Sequence, residues 1–135
     1  MAAVELKAFV PARDFALSKR FYRDLGFRMA SDGGGIAYFH RGDCAFLPQD
    51  FYLEAHAGNF MMHLLVEDAD QWRAEIERRN LAQHYPGVRV SAPEDRAWGI
   101  RDFTLTDPSG VLWRIGHNIP GWPKAGLVST APRTA

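Results

Sequence analysis

Cysteine is nearly absent from this chain. Cys44 stands alone, so no disulfide can close within it, and a reducing compartment is the expected setting. Set in an apolar run, Cys44 itself reads as a small buried hydrophobe. Net charge is missing too: sixteen basic and sixteen acidic residues cancel, which removes the basic footprint of a nucleic-acid binder. No apolar run reaches the length of a membrane span. The first residues, Met1-Ala2-Ala3-Val4-Glu5, lack the basic-then-apolar pattern of a secretion signal. These absences together predict a cytoplasmic location. What is present is ordinary for a globular protein with a sizeable core: 135 residues, 47% hydrophobic and 24% charged.

Residues 6–10 read as a strand with Leu6, Ala8 and Val10 on one face and Lys7 and Phe9 on the other. Pro11, having no amide to donate, ends it. Asp14 is an N-cap for a helix over 15–25, with Leu17, Phe21, Tyr22 and Leu25 as its apolar stripe and Gly26 as its stop. Strands over 27–31, 36–40 and 43–47 are divided by turns at 32–35 and at Arg41-Gly42. The triple glycine 33–35 is a hairpin turn and not a phosphate loop, since no lysine or helix start follows it. Residues 48–59 read as a loop forming a seam between two halves. A strand over 60–66 then leads to Asp68, the N-cap of a helix to about residue 80, with Ala69, Trp72 and Ile76 facing the core. Next come a strand over 88–92, a loop over 93–98, and a hairpin turning at Asp107-Pro108-Ser109-Gly110.

Two segments repeat 54 positions apart: Val10-x-Ala12-x-Asp14 leads into the first helix, and Leu64-x-Val66-x-Asp68 into the second. The order strand, helix, three strands therefore occurs twice. The predicted fold class is α+β, with two paired βαβββ modules forming a curved mixed sheet around a concave cavity. The modules occupy about residues 4–48 and 60–117 of one domain, 1–118. Residues 119–135 form a tail, and Trp122 is a candidate to anchor it.

Several motifs in both halves then resemble one family. Pro11-Ala12-Arg13-Asp14-Phe15, Phe21-Tyr22-Arg23-Asp24-Leu25-Gly26-Phe27, Arg41-Gly42-Asp43, Ala92-Pro93-Glu94 with Trp98-Gly99, and Asp107-Pro108-x-Gly110-x-Leu112-x-Arg114 look like the vicinal oxygen chelate superfamily of glyoxalase I and extradiol dioxygenases. Within it the likeness is greatest to the bleomycin resistance proteins. That resemblance implies the paired-βαβββ fold, a homodimer with crevices between subunits, and an N-terminal arm near Pro11 that can exchange between them. It also implies stoichiometric capture of a bleomycin-type antibiotic without modification, with the tryptophan matching Trp98 lining the crevice.

Metal-dependent members of the superfamily place ligands at fixed distances from the motif aspartates. Those places hold Lys7, Met61 and Arg114 here, with the remaining position near Leu47 or Gln49. An ammonium, a thioether and a guanidinium do not hold a hard divalent ion, and arginine offers no lone pair at all. No metal, cofactor or catalytic residue is expected, and the balance leans away from an enzyme.

His63 shares a strand face with Met61. Strand parity makes Phe9, Met61, His63, Leu112 and Arg114 the candidate ligand-binding residues, with Trp98 at the rim. Core filling is the competing account for Phe9, Met61 and Leu112. For Arg114 the competing account is an ion pair with Asp102 across the hairpin. The favoured reading is a binding protein that sequesters a small aromatic and polar molecule of the bleomycin type without modifying it; because the chain is neutral and turns Lys7 and Arg114 toward the cavity, an anionic or neutral ligand is equally compatible. The alternative is a glyoxalase- or dioxygenase-like lyase, isomerase or dioxygenase.

Overall fold

The computed structural model describes residues 1–121; the tail beyond them, with Trp122, lies outside the described residues. The chain runs β1 (Phe9–Pro11), α1 (Phe15–Leu25), β2 (Arg28–Gly33), β3 (Ile36–Arg41), β4 (Cys44–Gln49) and α2 (Glu54–Gly58). It continues through β5 (Met61–Leu65), α3 (Ala69–Arg78), α4 (Leu81–His84), β6 (Arg89–Val90), β7 (Glu94–Asp95), β8 (Ile100–Thr106) and β9 (Leu112–Asn118).

The repeat seen in the sequence is a repeat in structure. Asp14 accepts the amide of Leu17 and Asp68 that of Gln71, each at 3.1 Å, so both helices begin on the same cap. Helix α1 stops at Gly26, whose φ of 117° is left-handed backbone that a side chain would strain. Its buried face is Ser18, Phe21, Tyr22 and Leu25.

The strands divide between two mixed sheets. Sheet 1 has the order β1-β4-β3-β2 and sheet 2 the order β5-β9-β8-β6, with β7 also pairing β8. In each, the first strand of the module runs parallel to its last, β1 to β4 and β5 to β9, and the other pairs are antiparallel. This is the expected α+β class.

One face of each sheet packs inward, and both contribute to one hydrophobic cluster with Tyr22 at its centre. Tyr22 makes ring contacts with Phe46 of sheet 1 at 4.8 Å and Trp113 of sheet 2 at 5.6 Å, and Phe46 meets Trp113 at 5.1 Å. The Tyr22 hydroxyl donates to Asp107 and accepts from Trp113 Nε1. Asp107 Oδ1 also takes the amides of Ser109 and Val111, both at 2.9 Å, which builds the β8–β9 turn. Burial pushes the Asp107 carboxyl up, against these hydrogen bonds.

Several sequence expectations are corrected. The first strand is shorter and later than 6–10: Leu6 is almost fully exposed and residues 1–8 form no strand. Only part of that segment can pair, because Leu47 N reaches no further back than the Ala8 carbonyl. Cys44 is exposed, not buried; it opens β4 opposite Arg41, beside the hairpin turn. The 48–59 segment contains α2, and the last turns before β6 contain α4.

Candidate functional site

Period-two alternation decides what each strand of sheet 2 turns away from the core. On β5, Leu64 is buried and Met62 is packed on the core, while Met61, His63 and Leu65 are exposed. The parallel register sets Met61 beside Leu112 and His63 beside Arg114. On β8, Thr106, Thr104 and Asp102 pair with Leu112, Arg114 and Gly116 of β9 and share that same face. Met61 is 57% exposed, so it does not fill core; Leu112 is half-buried beside it.

Arg114 sits within this surface as part of a shared ion cluster. Asp102, 1% exposed, receives Arg96 Nε at 2.7 Å and Arg114 Nη1 at 3.1 Å. The Asp102 carboxylate raises the Arg96 guanidinium above its ordinary value. Gly116 makes room for this carboxylate: a Cβ there would stand 2.6 Å from the Asp102 Cβ and 2.8 Å from the Arg101 carbonyl oxygen. The cross-hairpin ion pair weighed from sequence is therefore present. Arg114 is also 29% exposed, so it reaches solvent on the same face.

Trp98 lies in the turn between β7 and β8 and is 59% exposed. The turn is fixed by the Arg96 amide on the Ile100 carbonyl at 2.7 Å and the Gly99 amide on the Arg96 carbonyl at 3.1 Å. Phe9, the remaining candidate, stands on the other sheet, paired with Leu47 and 49% exposed. It does not fill core either. Lys7 precedes β1, bonds Glu5 at 2.6 Å and lies over the Tyr38 ring.

The residues present do not fit the divalent ion of the superfamily's metal-dependent enzymes. Lys7 is engaged with Glu5, Arg114 with Asp102, and Leu47 has no donor atom. Among the described residues, no three His, Cys, Asp or Glu side chains converge on a point.

Two open clefts, of about 300 and 340 Å³, lie elsewhere, between α3 and the β3–β4 turn. Their arginines already serve the C-terminal end of α1: Arg41 donates to the Gly26 carbonyl and Arg79 to that of Asp24. This accounts for their placement as helix caps.

Arg96 and Gly116 were not legible as parts of the site. Arg96 lies in a loop with no periodicity, and Gly116 lies near the end of the last strand with no side chain to signal a role. The one available signal was the acidic Asp102 in an alternating strand, which demands a partner.

The family model described as Glyoxalase/Bleomycin resistance protein/Dioxygenase superfamily matches residues 6–115. A bleomycin resistance protein of Klebsiella pneumoniae is 30% identical over 114 residues, covering 81% of this chain and 88% of that protein. A bleomycin-binding protein complexed with bleomycin superposes with a TM-score of 0.74 at 25% identity, covering 86% of this chain and 99% of the other. The bleomycin resistance determinant encoded on the transposon Tn5 gives a TM-score of 0.73 at 26% identity, covering 86% and 98%. With two βαβββ modules, a Tyr22–Asp107 turn anchor and this extent of match, the chain belongs to the glyoxalase/bleomycin resistance protein/dioxygenase superfamily.

Proposed function

We propose that this protein captures a small aromatic, polar molecule of the bleomycin type on the outer faces of its sheets and releases it unmodified. The observation that carries this reading is the surface around Arg114. It offers apolar side chains, a guanidinium and an exposed indole, and its superfamily ligand positions hold groups that do not bind a divalent ion. The likeness to bleomycin resistance proteins in both sequence and fold supports the same ligand class. The proposed contact residues are Phe9, Met61, His63, Leu112 and Arg114, with Trp98 at the rim.

We further propose that two copies form the working unit. Phe9, Met61 and Leu65 lie exposed on sheet faces, and Val4 and Leu6 are bare in the segment before β1. A partner facing these sheets would cover them, and exchange of the segment before β1 between copies would cover Val4 and Leu6.

Bleomycin titration followed by intrinsic tryptophan fluorescence tests the reading, with sedimentation run on the same samples. Wild type is expected to show saturable quenching near one drug per chain and to sediment as two chains. Trp98→Ala is expected to weaken binding about tenfold through lost stacking. A flat signal at high drug excess removes bleomycin as the ligand, and a single-chain species removes the dimer.

A further inference from the structure

An exposed ring stacks well only if its backbone is held still. Trp98 is 59% exposed and stands outside the hydrophobic cluster, so the indole goes where its turn goes. That turn is Arg96-Ala97-Trp98-Gly99, between β7 and β8. Strand β7 supports it little, because only Glu94 and Asp95 pair with β8. Gly99 has a left-handed φ of 87°, and its carbonyl accepts the Ile119 amide at 2.9 Å, which secures the exit of the turn.

The entrance is secured by a side chain. Ala97 and Gly99 carry no group that could reach the sheet. Arg96 does reach it, through Nε to Asp102 Oδ1 at 2.7 Å, with Nη1 3.3 Å from Glu94. Asp102 is a firm anchor: it is 1% exposed, on a strand with neighbours on both sides. The same carboxylate receives Arg114 Nη1 at 3.1 Å. The Trp98 turn and Arg114 are therefore both tied to one buried group.

We propose that Arg96 is a positioning residue for ligand capture: it clamps the Trp98 turn to Asp102 and so fixes the indole relative to Arg114. The inference rests on the reading that Trp98 is the rim of the capture surface, and it adds the device that presets that rim. Arg96 acts through Trp98 and not by contact with the ligand. A turn that is already ordered need not be ordered by the ligand, so more of the stacking shows as affinity. Without the clamp, the turn keeps its backbone hydrogen bonds but moves about them, and each binding event must order it.

Arg96→Ala tests this, since Arg114 remains to pair the buried Asp102 carboxylate. The first readout needs no ligand. Amide hydrogen exchange at residues 96 and 99 is expected to speed up about tenfold more than at Phe39 and Phe46, which are buried on sheet 1. The second is a double-mutant cycle by equilibrium dialysis against bleomycin. Arg96→Ala is expected to weaken binding about fivefold in the wild-type background and not at all in Trp98→Ala. Arg96→Lys keeps a cation for Asp102 without the planar fork, so it should fall between. It carries the same cycle if Arg96→Ala fails to fold. Unchanged exchange at Gly99, acceleration shared equally by Phe39 and Phe46, or an equal loss of affinity in both backgrounds overturns the positioning role and leaves capture standing. Wild type that retains no bleomycin overturns the capture reading, and with it the part of Arg96 in binding, even where exchange shows the clamp itself.

Discussion

Asp102→Ala is expected to destabilise the fold by about 3 kcal/mol, the range in which removing one partner of a buried ion cluster leaves charge uncompensated. The reason is geometric. Asp102 is buried against Gly116, and its two oxygens serve both Arg96 and Arg114. Without it, Arg114 loses the carboxylate it pairs with and Arg96 keeps only Glu94 at 3.3 Å, so two like charges stand close together with only partial access to water. Thermal unfolding should show the midpoint falling by about 10 °C. Asp102→Asn should fall less, because the amide oxygen still accepts one hydrogen bond. An unchanged midpoint in Asp102→Ala would show that the cluster contributes nothing to the fold and that its arginines are held by other means.

Trp113→Ala is expected to cost more, about 4 kcal/mol, through lost burial and the cavity left behind. Trp113 is buried on β9 and touches Tyr22, Phe27 and Phe46, so it joins sheet 2 to α1 and to sheet 1. Its Nε1 also donates to the Tyr22 hydroxyl that anchors Asp107. Tyr22→Phe separates the two contributions. It keeps the ring and removes the hydroxyl, leaving the Trp113 N–H and one Asp107 oxygen short of a partner, at about 2 kcal/mol. Denaturant unfolding of the three proteins should rank wild type, Tyr22→Phe and Trp113→Ala in falling stability. Equal losses in the two variants would place the whole effect in the hydrogen bonds.

These expectations show which parts of the molecule were legible in its sequence. Helix α1 was legible almost to the residue, because a cap, an amphipathic stripe and a glycine stop all agree: Asp14, then Phe21, Tyr22 and Leu25, then Gly26. The first strand was misjudged for the opposite reason. Residues 6–10 alternate like a strand, but pairing needs a neighbour, and β4 provides partners only for Phe9 to Pro11. Short elements escaped as well. The two-residue strand β7 and the helices α2 and α4 are too brief for periodicity to register, while the strand read over 88–92 is present only as β6, Arg89–Val90. Cys44 shows the limit of composition: a thiol in an apolar run was expected inside, and the hairpin turn at Gly42 places it in solvent.

The candidate site was legible by strand parity alone. Counting along β5 and β9 put Met61, His63, Leu112 and Arg114 on one face, and the register does the same. The partners that hold Arg114 were only half legible. Asp102 lies in the same hairpin and was within reach of that count, whereas Arg96 comes from a loop whose path no local pattern dictates. Phe9 was grouped with the others by parity, but parity does not assign strands to sheets, and Phe9 stands on sheet 1.

Capture without modification is the central claim, and equilibrium dialysis against bleomycin, with the drug recovered and weighed by mass spectrometry, tests it most directly. The account predicts drug retained at about one molecule per chain, independent of added chelator, and recovered with its mass unchanged after prolonged incubation. Drug recovered with an altered mass, in amounts that grow with time beyond one molecule per chain, would contradict it.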